Sequence, residues 1–296
     1  MRNKLSRKFN IFFVFSIILL TTFSSCKEKE LVQKPLYLTI SEGFKNPLGF
    51  YDDRPTFSWK LPVSENIKSQ SAYQIVAASK PELLPNNPDL WNSKKQNSSQ
   101  STWVKYNGEP LQSRQKVYWQ IKYWNQEEQA SEWSTINHFE LGLLNNSDWQ
   151  AKWIGLNTAK DSIRGRGKVL IHKPQYLRKE FKLSNEIASA RLYITAKGVF
   201  DVSLNGVNVS DDAMSPGFTT YDKRIETLTY NITNLINTGE NTIGVELASG
   251  WYSGRLLWGK TPWDNTVSPK ILCQLEVEMK DGSTKIITSD ETWKGS

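Results

Sequence analysis

The run SGWYSGRLLWGKTPWDN (residues 249–265) sets Trp251, Tyr252, Trp258 and Trp263 among glycines and serines, in a pattern too irregular for a helix or a plain strand. Gly250 and Gly254 bracket the first two rings, and glycine at such places lets the backbone turn sharply or approach a neighbour closely. Aromatics held this way either cement a core or present flat apolar faces to a ligand. Trp251 and Tyr252 follow directly on the apolar run NTIGVELA (241–248), so Trp251 is expected to be mainly structural. Trp258 and Trp263, among Gly259, Pro262 and Asp264, are expected to be better exposed, with Arg255, Asp264 and Asn265 as polar partners.

Other residue groupings offer less. The pairs Asp52-Asp53 and Asp211-Asp212 lie on polar turns and read as solvated surface, with nothing nearby to raise a pKa as a general acid needs. His138 and His172 have no second imidazole or thiolate at metal-ligand spacing, which argues against zinc. Tyr221-Asp222-Lys223-Arg224 reads as a structural turn in which the aspartate meets Arg or Lys, ahead of a sugar contact. Nucleophile-elbow, P-loop and dinucleotide fingerprints do not occur.

Hydrophobic period is near two almost everywhere, with turn residues every eight to a dozen positions, so the chain reads as all-β. AYQIVAAS (72–79), VYWQIKYWN (117–125), ARLYITA (190–196), DVSLNG (201–206), NTIGVELA (241–248), ILCQLEVEM (271–279) and TKIITSD (284–290) are predicted strands, with Asn205-Gly206 and Asp281-Gly282 as hairpin turns. Within VYWQIKYWN, the alternate residues Val117, Trp119, Ile121 and Tyr123 are predicted core. Tyr118, Gln120, Lys122 and Trp124 should face outward or toward a neighbouring domain. Residues 37–142, with six tryptophans in short extended runs, fit a fibronectin type III or immunoglobulin-like sandwich. A second β-sandwich of jelly-roll type is expected over 148–296, entered through a polar loop from Leu156 to Lys173.

The N-terminus is an export signal: Arg2, Lys4, Arg7 and Lys8 precede the apolar run IFFVFSIILL, which suits residues 1–25 as a signal peptide. Small residues then lead to Cys26, the arrangement at which a signal peptidase leaves a cysteine to be lipidated, and 26–36 forms a linker. Phe23 stands where bacterial lipoproteins usually carry Leu, so ordinary cleavage or an uncleaved anchor stays open beside lipidation; all three place the remainder outside the cytoplasm. The expected location is the periplasm or outer membrane of a Gram-negative bacterium, with the membrane reached through Cys26. Removing the signal takes four basic side chains from the +7 chain, leaving +3, and with them the main support for nucleic-acid binding. Beyond Cys26 only Cys273 remains, on the face of Ile271, Leu275, Val277 and Met279, so it should be a buried strand residue outside any disulfide.

RPTFSWKLP, QSAYQIVAAS, LWNSKK and DWQAKWIGL, in that order, resemble the N-terminal segment of bacterial α-L-rhamnosidases. LRKEF, ARLYITAKGVFDVSLNG and SPGFTTYDKRIETLTYNITNLINTGENTIGVELASGWYSG are similar to that family's N-terminal β-sandwich domain. The resemblance covers roughly residues 37–296. It implies secretion and removal of terminal L-rhamnose with inversion, by two carboxylates housed in an α/α toroid that follows these β domains in the family. No such helical sequence is present here, so the chain is expected to be inactive alone and is read as the accessory, sugar-recognition portion, with its second sandwich incomplete. The alternative is a stand-alone carbohydrate-binding or scaffold lipoprotein. A pyranose offers one apolar face and L-rhamnose adds a methyl, which suits the aromatic loop, so a rhamnose-containing glycan is the expected partner. No organic cofactor is expected. Calcium stays open, because related rhamnose-binding sandwiches use it and Asp264 and Asn265 are oxygen ligands suitable in kind, although no loop has regular ligand spacing.

Overall fold

Alternating side chains sort each strand into a buried and an open face, and the computed structural model shows where those faces meet. It describes residues 31–156, 161–163, 169–253 and 267–296, with 161–163 and 169–171 described by backbone alone. The first sandwich contains β1 (Leu36–Ile40), β2 (Leu48–Phe50), β3 (Thr56–Lys60), β4 (Gln70–Ala78), β5 (Trp91–Asn92), β6 (Gln96–Asn97), β7 (Val104–Lys105), β8 (Lys116–Asn125) and β9 (Asn137–Leu141). One sheet runs β1-β3-β7; the other runs β2-β9-β8-β4-β5, with β6 also on β4. Val117, Trp119 and Ile121 share one buried core with Phe57, Trp59 and Phe139, and Tyr123 is buried as well. The opposite face of β8 departs from expectation at Gln120, which is buried because its side-chain amide donates to the Ser134 carbonyl at 2.6 Å. Lys122 caps the rings of Trp124 and Trp133 from 5.1 and 4.7 Å, so those outward tryptophans stack under a cation.

The segment from Leu156 to Lys173, read as a loop, holds a short hairpin, β10 (Asp161–Ile163) against β11 (Val169–Ile171). The second sandwich follows: β12 (Gln175–Leu183), β13 (Ile187–Lys197), β14 (Val199–Leu204), β15 (Val207–Asn208), β16 (Leu228–Asn231), β17 (Gly239–Ala248), β18 (Lys270–Met279), β19 (Thr284–Thr288) and β20 (Lys294–Gly295). Its sheets run β15-β14-β17-β12-β20 and β16-β13-β18-β19. Ile271, Cys273, Leu275, Val277 and Met279 enter one core with Leu192, Ile194, Ile243, Val245 and Leu247. Burial pushes the Cys273 thiol far above its ordinary pKa, leaving it a small hydrophobe. Asn205 and Gly206, with φ of 52° and 83°, turn β14 into β15. This is the two-residue geometry that Asn-Gly favours.

Both sandwiches belong to one unit, residues 32–296, and the join is polar and close. Arg191 of β13 forks onto Glu140 of β9 with contacts of 2.7 and 2.9 Å. Arg114 forks onto Glu276 of β18 at 2.6 Å twice and also reaches Asp148 at 3.2 Å. Gly49 of β2 lies so near Thr229 of β16 that a Cβ there would fall on the threonine side chain. The bidentate geometry fixes direction as well as distance.

Candidate functional site

The strand that carries NTIGVELA stops at Ala248, and the chain then makes a single helical turn, α1 (Gly250–Ser253). Gly250 permits that turn: its φ is +50°, and a Cβ would lie 2.5 Å from Val199 Cγ1 at the start of β14. The turn delivers Trp251 and Tyr252 to the rim of the second sandwich, where both are half-buried and neither belongs to its core. Trp251 thus packs at the rim against Phe218 and not within the core. The strand's apolar alternation ends at Leu247, and the glycine turn redirects the rings before they can follow it inward.

Their partners come from the SPGFTTYDKR segment. The Ser215 carbonyl accepts from Phe200 N–H at 2.7 Å, pinning the segment to β14, and Thr219 Oγ1 donates to the Arg224 carbonyl at 2.8 Å, closing the following turn. Asp222 and Lys223 meet at 3.7 Å, both exposed, in keeping with a structural role for this turn. Phe218 then stands edge-on to Trp251 at 6.4 Å and to Tyr221 at 5.9 Å, and Tyr221 edge-on to Tyr252 at 5.3 Å. Perpendicular rings at these separations attract through their quadrupoles. Tyr221 is buried, whereas Phe218 is 50% exposed.

Phe218 also lines a cleft of about 730 Å³ between the two sandwiches, with Phe44, Phe50 and Tyr51 on one wall and Arg224 and Tyr230 on the other. Asp212 enters the same cleft, accepting from Tyr230 Oη at 3.5 Å. Burial raises the pKa of Tyr221, Tyr230 and Tyr252, so all three hydroxyls stay neutral around pH 7 and can both donate and accept. An aromatic corner opening into a cleft with a guanidinium, a carboxylate and a phenol suits a ligand with one apolar face and several hydroxyls.

Of the residues singled out in sequence, the structure brings Trp251 and Tyr252 together with Tyr221. Arg255, Trp258, Trp263, Asp264 and Asn265 lie outside the described residues, as does Cys26. Phe218, Tyr230 and the Phe44–Tyr51 wall were missed; the one local signal was Gly217-Phe218 ahead of a polar turn. No group of three or more metal-ligating side chains occurs among the described residues. Each carboxyl whose pKa is shifted, such as Asp89, Asp148 and Asp290, is shifted downward, opposite to a general acid.

Two sandwiches in series, joined by ion pairs and sharing an aromatic cleft, define a tandem β-sandwich protein. Residues 37–145 match the Rha78A-like N-terminal immunoglobulin domain, and residues 185–296 match the α-L-rhamnosidase N-terminal domain. The chain thus comprises N-terminal domains of an α-L-rhamnosidase-type protein. It is 64% identical over 284 residues to an α-L-rhamnosidase of Formosa agariphila and 45% identical over 289 residues to one of an Alteromonas species. In both cases 96% of this chain aligns with 31% of the relative, so the chain spans about a third of their length. The solved structure of an α-L-rhamnosidase from Dictyoglumus thermophilum superimposes with a TM-score of 0.81 at 32% identity, over 90% of this chain and 30% of that one.

Proposed function

We propose that this chain is the accessory, sugar-recognising N-terminal portion of an exported α-L-rhamnosidase that acts on rhamnose-containing glycans, and that the aromatic corner and cleft hold the sugar. The observation that carries this reading is Phe218: a half-exposed ring, fixed edge-on to Trp251, that also forms a wall of the interdomain cleft. The matched domains and the names of the relatives support the sugar class. Hydrolysis belongs, on this reading, to the catalytic toroid that the family resemblance implies. Carboxylates such as Asp148 and Asp290, paired and lowered in pKa, serve structure instead.

A glycan array probed with the full chain, with and without a chelator, tests the proposal. Selective retention of rhamnose-capped glycans, with no rhamnose released from them, is expected; loss on chelation would assign calcium a part. Uniform absence of glycan binding under both conditions would overturn it. Export through residues 1–25 and acylation at Cys26 complete the reading, since lasting attachment needs the two or more acyl chains such a cysteine receives. Fatty-acid labelling should mark the wild type and not Cys26→Ala; an unlabelled wild type would remove the anchor from the account.

A further inference from the structure

The outer face of the β15-β14-β17-β12-β20 sheet carries a second polar groove. Its floor follows from strand register. Tyr176 on β12 is opposite Glu246 on β17, which is opposite Asp201 on β14, so these three side chains form one row across the sheet. The row spans about 10 Å, two inter-strand spacings. In the next row Arg178 faces Gly244, which faces Ser203. Gly244 leaves the centre without a side chain, and the result is a cavity of about 530 Å³, within the size range of small-ligand sites.

The lining is unusual for a solvated sheet face in two respects. Tyr176 is 56% exposed at one end of the row, a large flat ring with no aromatic neighbour among the described residues. Asp201 and Glu246 sit directly opposite each other, an arrangement that is repulsive for like charges, and neither takes part in an ion pair or side-chain hydrogen bond among the described residues. Arg178 and Lys294 line the same groove and are both engaged by Glu180, at 2.9 and 3.7 Å. With Glu180 these make three carboxylates against two cations, and both cations are already engaged, which disfavours a polyanion. Free acceptors beside a bare floor and an exposed ring are complementary to a neutral, hydroxyl-rich chain: a ring face stacks on Tyr176, and hydroxyls donate to Glu246 and Asp201.

We propose that this groove binds the interior, neutral part of a glycan chain whose rhamnose-capped end is held at the corner. The inference rests on the glycan-recognition reading above and adds a second subsite to it. Titration calorimetry of the full chain with a rhamnose-capped neutral oligosaccharide, and with the same oligosaccharide lacking the cap, separates the two. Tyr176→Ala and the double change Asp201→Asn/Glu246→Gln should each weaken binding of both ligands about tenfold, and Gly244→Gln, which fills the floor, should abolish binding of the uncapped one. The Gly244 amide resonance of the wild type should shift with either ligand. Tyr176, Asp201 and Glu246 are exposed, so the unfolding midpoint of their variants should hold. No affinity for the uncapped ligand, or affinities unchanged in all three variants, would overturn the groove. Phe218→Ala then reports separately on the corner, where it should weaken only the capped ligand.

Discussion

A side chain at position 250 would have to share space with Val199 while the backbone kept a φ of +50°. The left-handed region costs an ordinary residue about 1–2 kcal/mol, before any crowding is counted. Gly250→Ala should therefore lower stability by at least that much, read from the urea midpoint, and displace Trp251 from Phe218. An unchanged midpoint would mean that the turn is not constrained as described. At this scale, alternation made some residues legible: Trp119 and Cys273 lie on the buried faces that a period of two assigns to them. Phe218 was not legible, because it sits in a turn-rich segment with no period, and its contact with Trp251 joins two loops distant in sequence. Trp251 was half-legible: the glycines signalled a turn, but only the position of Val199 shows where that turn points the ring.

The strands themselves were read well where hairpins connect them, since Asn205-Gly206 and Asp281-Gly282 impose register locally. The β10–β11 hairpin was not, its strands being three residues each inside a polar stretch. Nor was the parallel pairing of β2 with β9, which leaves no local trace, or the seam between the sandwiches. That seam depends on a few charged side chains. Arg191 and Glu140 are both largely buried, so Arg191→Ala would strand a carboxylate and should cost roughly 3 kcal/mol in chemical denaturation. A cost near zero would show the pair to be solvated.

Acid should act on the same seam. Burial alone would raise the pKa of Asp148, but hydrogen bonds from Ser113, the Asn145 N–H and Arg114 outweigh it and hold the carboxyl below its usual range. Within the second sandwich Asp290 is likewise lowered, Lys179 overcoming burial. A depressed folded-state pKa gives stability that is present above the unfolded value of about 4 and lost as pH falls through the folded one. Stability should thus hold from neutrality to about pH 4 and drop below it, with Asp148→Asn flattening part of that drop. A midpoint that does not fall between about pH 4 and 2 would contradict this assignment.

At the scale of the whole molecule, two rigid sandwiches are clamped so that a wall from each faces a common cleft, and one ring, Phe218, joins that cleft to the glycine-turned aromatics. The architecture could be read from alternation and turn spacing; the cleft could not, because it exists only where the domains meet. The central claim is that this junction recognises sugar. Its most direct measurement is the affinity of the full chain for a rhamnose-capped oligosaccharide in the wild type, Phe218→Ala and Trp251→Ala, with the unfolding midpoint of each recorded alongside. The account predicts that each truncation weakens binding by about 1 kcal/mol, roughly fivefold, while Phe218→Ala keeps the wild-type midpoint. Wild-type affinity in both folded variants would contradict it and return the aromatic corner to architecture.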